Sequence, residues 1–169
     1  MQERMNELED IKNKLRSAIN KLFEKDKFLL NYDVNERSIT HKLAEYLEEE
    51  FKEYDVDCEY NRDINDTKRL KNFIDKIDAD DTEGITVFPD IIIHKRGTHL
   101  NLIAIEVKKD NARFNSSAAQ FDKEKLSNFT YQSGNFKYEF GFFILLPTCG
   151  HQKPVKITLF RNGKEIEPI

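Results

Sequence analysis

The order of the predicted elements indicates an α/β domain in which helices flank a central mixed β-sheet. The centre of that sheet is a predicted β-hairpin, because two β-branched apolar runs, 91–93 and 100–107, flank a polar segment that contains Gly97. Another strand is predicted at 138–146, where a strongly apolar run stops at Pro147. Its composition is typical of a strand that is buried on both faces.

Three segments, 3–27, 33–53 and 116–129, have the apolar spacing of amphipathic helices. In the first segment the apolar positions follow a three-four alternation and are Leu8, Ile11, Leu15, Ala18 and Leu22. This stripe predicts either a face packed on the same domain or a short coiled coil with a second chain. One interpretation of the first helix is therefore that it forms a homodimer.

Two further strands complete the predicted sheet. Val56, Cys58 and Tyr60 alternate with acidic residues, which predicts a first strand with one buried face. Residues 155–160 predict a last strand, which the turn dipeptide Asn162-Gly163 closes.

A single domain over residues 1–169 is the simplest organisation for a chain of this length. It comprises an N-terminal helix at 1–30 and a core at 33–147. Within that core, 68–77 predicts a short helix, and the acidic run 78–81 predicts a solvated turn.

Composition narrows the class of protein. Apolar residues make up 38% of the chain and charged residues 34%, while thirteen Phe argue against disorder. We expect a cytoplasmic protein without a membrane partner, because the sequence shows no membrane-spanning run and no signal peptide. In that compartment Cys58 and Cys149 are predicted to be reduced, buried thiols. The net charge is −4, yet residues 85–169 carry twelve basic and eight acidic groups, which suits a phosphate-binding face.

Three charged residues, Asp90, Glu106 and Lys108, interrupt the apolar runs of the hairpin. Side chains alternate along a strand, so Glu106 and Lys108 share one face. A hairpin centred near Thr98 places Asp90 beside Glu106, and cross-strand neighbours have Cβ atoms about 5 Å apart. Two carboxylates at one point suit a Mg²⁺ ion, which also takes water and phosphate oxygens as ligands. The ammonium of Lys108 could orient an attacking water or stabilise charge on a phosphate.

Pro89-Asp90 and Glu106-Val107-Lys108 together resemble the signature of the PD-(D/E)XK nuclease superfamily. The resemblance implies a restriction-endonuclease-like αβββαβ core and metal-dependent hydrolysis of phosphodiester bonds. It implies that Asp90 and Glu106 bind Mg²⁺, which Mn²⁺ can replace, that Val107 offers its backbone carbonyl, and that Lys108 is catalytic. The order of the predicted elements over residues 33–147 agrees with that core.

The resemblance also implies a role for a Glu on the first core helix, and Glu36 matches it by position. Asp33 followed by Glu36 equally fits a helix-capping pattern, so both interpretations stay open. Basic residues near the first strand and the hairpin turn could contact phosphates, and two residues of the helix after the motif could support the site. The predicted nucleic-acid contacts are Arg62, Lys95, Arg96, Lys109, Gln120 and Lys123.

The sequence thus predicts a magnesium-dependent nuclease, with DNA favoured over RNA as its substrate. The alternative is a catalytically silent nucleic-acid-binding or protein-interaction module on the same fold. A third interpretation is an unrelated sheet protein in which Glu106 and Lys108 form an ion pair on an exposed face.

Overall fold

The computed structural model of the chain describes residues 2–32, 34–59, 62–63, 66–67, 88–111, 113–150 and 153–166. Its helices are α1 (Gln2–Lys25), α2 (Lys27–Asn31), α3 (Glu36–Glu50) and α4 (Ser116–Thr130). Its strands are β1 (Asp55–Cys58), β2 (Arg62–Asp63), β3 (Asp66–Thr67), β4 (Ile91–His94), β5 (Asn101–Asp110), β6 (Phe140–Pro147), β7 (Lys156–Arg161) and β8 (Lys164–Ile166). In this described part of the chain, no helix is long and apolar enough to cross a membrane.

Six strands form one mixed sheet in the order β1-β4-β5-β6-β7-β8, and β2 and β3 pair separately. β5 and β6 are parallel, whereas the other neighbouring strands of the large sheet are antiparallel. Parallel neighbours need a crossover connection, and α4 provides it. The predicted α/β class with a mixed sheet between helices is confirmed.

From Ile91 to Ile93 the β4–β5 hairpin has the predicted register, which then shifts by one residue, so that His94 pairs with Asn101. Ile91 pairs with Ile105, so the residue before β4, Asp90, falls opposite Glu106. The connection passes through Gly97 at a φ of +70°, a conformation that favours glycine.

Helices cover the two faces of the sheet, which separates two cores. Ile103 and Ile105 of β5 belong to the larger core, which includes side chains of α1 and α3. Ala104 belongs to the second core, which includes side chains of α4. Because side chains alternate along a strand, Glu106 and Lys108 lie on the same face of β5 as Ala104.

The apolar stripe of α1 packs inside the domain. Leu15 and Leu22 are 1% and 0% exposed and belong to the same core as the apolar face of α3. Across the same helix pair, Lys21 forms ion pairs with Glu49 and Glu50 at 2.9 and 2.7 Å. The interpretation as a packed face is confirmed, and the coiled-coil alternative is wrong because the stripe is already covered.

Several boundaries differ from the prediction. The second helix begins at Glu36, because the side chain of Asn35 caps its first turn, and it ends at Glu50. Asp33, the predicted cap, lies outside the described residues. β6 begins at Phe140 rather than at residue 138. β8 was not predicted, because this three-residue strand is exposed and has no apolar alternation.

Other predictions concern residues at the edges of the described structure. The predicted helix at 68–77, the acidic turn at 78–81 and Tyr60 lie outside the described residues.

Cys58 and Cys149 are free thiols, but both are exposed, so the prediction of buried thiols is wrong. Cys58 ends the edge strand β1, and Cys149 follows β6 in a turn with a positive φ of 59°.

An ion-pair clamp joins β1 to the turn of the hairpin. Arg96 donates from Nε to Asp57 Oδ2 at 2.8 Å and also bonds Oδ1, while His94 Nε2 lies 2.9 Å from Oδ2. Burial alone would raise the pKa of Asp57, but the hydrogen bonds from Arg96 and His94 outweigh it and lower that pKa. The clamp therefore holds the hairpin through an ionised Asp57.

We expect Asp57→Asn to lower the free energy of unfolding by about 1–2 kcal/mol at neutral pH, since it weakens charge-assisted hydrogen bonds. The pKa of Asp57 is lowered in the folded state, so its contribution is present above the ordinary value of 3.8 and is lost as the pH falls through the lowered pKa. Thermal melts of both proteins from neutral to acid pH measure this effect. The two stabilities should converge in acid; a difference that stays constant with pH would contradict the clamp.

Candidate functional site

The two hairpin carboxylates lie where β4 begins, near the C-terminal half of β5. The backbone carbonyl of Asp90 accepts a hydrogen bond from Glu59 N at 3.1 Å, and its side-chain Oδ2 accepts one from Val107 N at 2.7 Å. The second bond ties Asp90 to the residue next to Glu106. Burial raises the pKa of Asp90, and the Val107 N–H opposes that shift only in part.

Glu106 is completely buried, at 0% exposure, which is costly for a carboxylate without partners. Lys125 Nζ lies 2.8 Å from its Oε1. Apart from this ion pair, neither carboxylate oxygen has a hydrogen-bond partner among the described residues. Burial, together with the nearby charge of Asp90, raises the pKa of Glu106 well above its ordinary value. Glu106 Oε2 is therefore a buried acceptor that suits a proton or a cation.

Lys108 lies between carboxylates from two different helices. Its Nζ is 2.8 Å from Glu36 Oε1 on α3 and 3.0 Å from Asp122 Oδ2 on α4. Burial alone would lower the pKa of Lys108, but the hydrogen bond to Glu36 and the charge of Asp122 outweigh it and raise that pKa. Lys108 is thus a fixed ammonium, suited to stabilising negative charge rather than to accepting a proton.

Asp122 and Lys125 also belong to the site, and neither was among the predicted site residues. They lie one turn apart on α4, with Lys125 Nζ 2.7 Å from Asp122 Oδ1, and are 6% and 8% exposed. Glu106, Lys125, Asp122, Lys108 and Glu36 therefore form a chain of alternating charges. Their spacing in the sequence could have indicated this role. It places both charges on the buried face of the helix, where charged residues are rare unless they are paired.

The charges of this cluster fit a divalent cation. With every carboxyl ionised, the four acidic and two basic side chains carry a net charge of −2; they are Glu36, Asp90, Glu106, Asp122, Lys108 and Lys125. The described residues contain no group of three or more His, Cys, Asp or Glu that could hold a metal ion. Magnesium, however, commonly takes only one or two carboxylates and completes its shell with water and phosphate. Asp90 and Glu106, with the unpartnered Oε2, fit such a site.

Glu36 faces the site instead of capping its helix. The cap is Asn35, whose side chain accepts a hydrogen bond from Ser38 N at 2.8 Å. Glu36 accepts hydrogen bonds from Lys108 Nζ at 2.8 Å and from Lys109 N at 3.3 Å. The capping interpretation of Glu36 is therefore wrong, since its carboxylate is bonded to β5.

A cavity of about 390 Å³ lies beside the cluster, between α3 and β1. It is lined by Glu36, Arg37, Thr40, His41, Cys58, Glu59 and Asp90. Arg37 pairs with Glu59 at 3.0 Å, in a contact that is largely exposed. Glu36 and Asp90 line the cavity and also belong to the charged cluster. The cavity therefore gives a small molecule or a chain segment access to the cluster.

Two of the predicted nucleic-acid contacts lie at the hairpin turn, at the other end of β4 from Asp90. Arg96 is engaged in the clamp with Asp57. Lys95 Nζ lies 5.7 Å from the centre of the Tyr54 ring. The structure does not bring either residue to the charged cluster.

The remaining predicted contacts are also dispersed. Lys109 adjoins the cluster and donates from Nζ to a backbone carbonyl just before α3 at 2.9 Å. Gln120 is exposed on α4, and Lys123 pairs with Glu165 of β8 at 3.1 Å. Arg62 belongs to β2, and its side chain lies outside the described part of the structure.

Comparisons with known protein families, with curated proteins and with solved structures found no match for this chain. The class of site therefore rests on the residues themselves. They form a buried cluster of paired charges at one end of a mixed sheet, with two carboxylates that fit a divalent cation and a cavity beside them.

Proposed function

We propose that this chain is a magnesium-dependent nuclease that hydrolyses phosphodiester bonds in DNA. The observation that carries the proposal is the β4–β5 register, which sets Asp90 opposite Glu106, with Lys108 two residues further on the same face. This arrangement supports the resemblance of Pro89-Asp90 and Glu106-Val107-Lys108 to the PD-(D/E)XK superfamily. The order of helices and strands around the sheet supports a restriction-endonuclease-like core.

Asp90 and Glu106 would hold the cation, and Val107 would offer its backbone carbonyl. A divalent cation held there would supply Lewis-acid chemistry: it would neutralise phosphate charge and lower the pKa of water. The hydrogen bond from Val107 N to Asp90 fixes the orientation of one ligand, a function that outer contacts commonly serve in metal sites.

Lys108 would stabilise the negative charge that develops on the phosphoryl oxygens during cleavage. Its raised pKa supports this role, because the side chain keeps its proton. Glu36 and Asp122 would position its ammonium from two sides, so that little reorganisation is needed when charge develops.

The cavity beside Asp90 and Glu36 supports access of an extended phosphodiester chain to the cluster. The excess of basic groups in residues 85–169, twelve against eight acidic, supports a polyanionic substrate.

Purified protein incubated with supercoiled and linear DNA tests the proposal directly. We expect nicking or degradation with Mg²⁺ or Mn²⁺ and none with EDTA, because the carboxylates act through the cation. A parallel RNA substrate should be cut more slowly than DNA. Cleavage that persists in EDTA would contradict the metal requirement, and intact DNA in the presence of folded, Mn²⁺-bound protein would contradict nuclease activity.

Asn35→Ala and Glu36→Gln should distinguish residues that cap the helix from residues that act in the site. We expect Asn35→Ala to cost about 1 kcal/mol of stability and to leave cleavage unchanged, because it removes only the cap. Glu36→Gln should change stability by only about 0.5 kcal/mol. It should nevertheless slow cleavage strongly, because a neutral amide holds the Lys108 ammonium less firmly. Thermal melts and cleavage assays on the same preparations measure both effects; wild-type cleavage by Glu36→Gln would remove Glu36 from the site.

A catalytically silent nucleic-acid-binding or protein-interaction module is the second candidate. One observation favours it: Lys125 already pairs with Glu106, so this carboxylate has a counter-ion without a metal. A silent nucleic-acid-binding module would retain DNA in a gel-shift assay in EDTA and would leave the DNA intact when Mg²⁺ is added.

A further inference from the structure

Lys125 is the charged group of the cluster that the proposed cleavage chemistry does not use. It reaches from α4 to Glu106 Oε1 at 2.8 Å and to Asp122 Oδ1 at 2.7 Å. Both contacts are buried ion pairs, so the ammonium of Lys125 rests against a carboxylate that would hold a divalent cation.

This ammonium opposes cation binding in two ways. It occupies Oε1 of Glu106, which leaves Oε2 as the carboxylate oxygen without a partner among the residues that the structure describes. It also repels any second cation brought to the same carboxylate, and such repulsion is strong in a buried, low-dielectric environment. When no other cation is present, however, the ammonium offsets the free-energy cost of burying Glu106.

Asp122 allows the ammonium to leave Glu106 without losing its charge partner. Its two oxygens contact different lysines, Oδ1 facing Lys125 at 2.7 Å and Oδ2 facing Lys108 at 3.0 Å. When Lys125 separates from Glu106, it therefore remains paired on its own helix. Lys108 also contacts Glu36, so it does not depend on Asp122 alone.

We propose that Lys125 is a positioning residue that serves as the resident counter-ion of Glu106 and sets the affinity of the site for divalent cations. A divalent cation binds by displacing the ammonium from Glu106, and Asp122 retains the displaced ammonium. This inference rests on the metal site of the proposed function but does not depend on nuclease activity.

Removing the charge of Lys125 should therefore tighten cation binding. The remaining cluster becomes more negative, and Glu106 loses its competing partner. Protonation of Glu106 is favoured as well, but a divalent cation carries twice the charge of a proton and gains more from the change. We expect Lys125→Met to bind Mn²⁺ about tenfold more tightly than the wild type, which corresponds to about 1.4 kcal/mol.

Isothermal titration of metal-free, full-length protein with Mn²⁺ alone measures this affinity. Lys125→Gln is the second variant, because its neutral amide can still donate to Glu106 and so supports folding. Lys125→Arg keeps the charge and should restore the wild-type affinity. Lys21→Met is the matched control, since Lys21 also pairs with two carboxylates, at 2.9 and 2.7 Å, at the opposite end of α3 from Glu36; its Mn²⁺ affinity should equal that of the wild type.

Nitrogen NMR of the lysine ammonium groups gives a readout in the wild type that needs no variant. Addition of diamagnetic Mg²⁺ should shift the Lys125 signal as its ammonium leaves Glu106. An unchanged Lys125 signal at saturating Mg²⁺ would overturn the inference, as would unchanged or weaker Mn²⁺ binding by folded Lys125→Met and Lys125→Gln.

The outcomes also separate this inference from the proposed nuclease. Tighter Mn²⁺ binding by the variants, together with intact DNA in all assays, would refute the nuclease and support the counter-ion. DNA cleavage together with unchanged Mn²⁺ affinity in the variants would support the nuclease and refute the counter-ion.

Discussion

Lys108→Met is expected to slow magnesium-dependent DNA cleavage by about 10²–10³-fold, the effect typical of losing one preorganised electrostatic group. The ammonium has a fixed position, 2.8 Å from Glu36 and 3.0 Å from Asp122, so it can stabilise developing charge without rearranging. Methionine keeps the length and the apolar part of the side chain but removes the charge. Initial cleavage rates at saturating Mg²⁺ measure the effect, and circular dichroism checks the fold.

Lys21→Met is the control for this variant as well. Its ion pairs with Glu49 and Glu50 are lost in the same way, but they join α1 to α3 and do not touch β5. Cleavage by Lys21→Met should match that of the wild type. If Lys108→Met also cleaves at the wild-type rate, the contact between Lys108 and Glu36 serves only to join α3 to the sheet.

The hairpin could be predicted in detail because strand periodicity is a local property. Side chains alternate with a period of two, so the apolar runs and the position of the turn together fix which residues face each other. For that reason the pairing of Ile91 with Ile105, and with it the placement of Asp90 opposite Glu106, follows from the sequence alone. The packed face of α1 followed from its apolar spacing in the same way.

The partners of the site residues could not be predicted, since they depend on how helices pack on the sheet. Asp122 and Lys125 reach the cluster only because α4 crosses between β5 and β6 and lies over the face that carries Glu106. The choice between neighbouring capping residues could not be predicted either. Asn35 and Asp33 are both good cap residues; the structure has Asn35 as the cap, while Glu36 bonds Lys108.

Asp122→Ala is expected to lower the free energy of unfolding of the metal-free protein by about 3–5 kcal/mol, because it breaks a buried ion-pair network from one side. Its two oxygens pair with two lysines, so the substitution deprives Lys108 and Lys125 of a carboxylate at once. Urea unfolding measures the effect, and an unchanged slope of stability against urea concentration shows that the folded state is otherwise the same. A loss of only about 0.5 kcal/mol, as for an ordinary surface substitution, would contradict the network.

Glu106→Gln gives the contrasting result in the same experiment. Oε2 of Glu106 has no hydrogen-bond partner among the described residues, and burial raises the pKa of this carboxyl group. The ionised carboxylate therefore lowers the stability of the metal-free protein. A neutral amide removes that cost while Lys125 keeps Asp122, so this variant should be at least as stable as the wild type without metal. Added Mn²⁺ should reverse the order, since a ligand at a hundred times its Kd stabilises the protein that binds it by about 2.7 kcal/mol. A stability difference that Mn²⁺ leaves unchanged would mean that Glu106 is not a cation ligand.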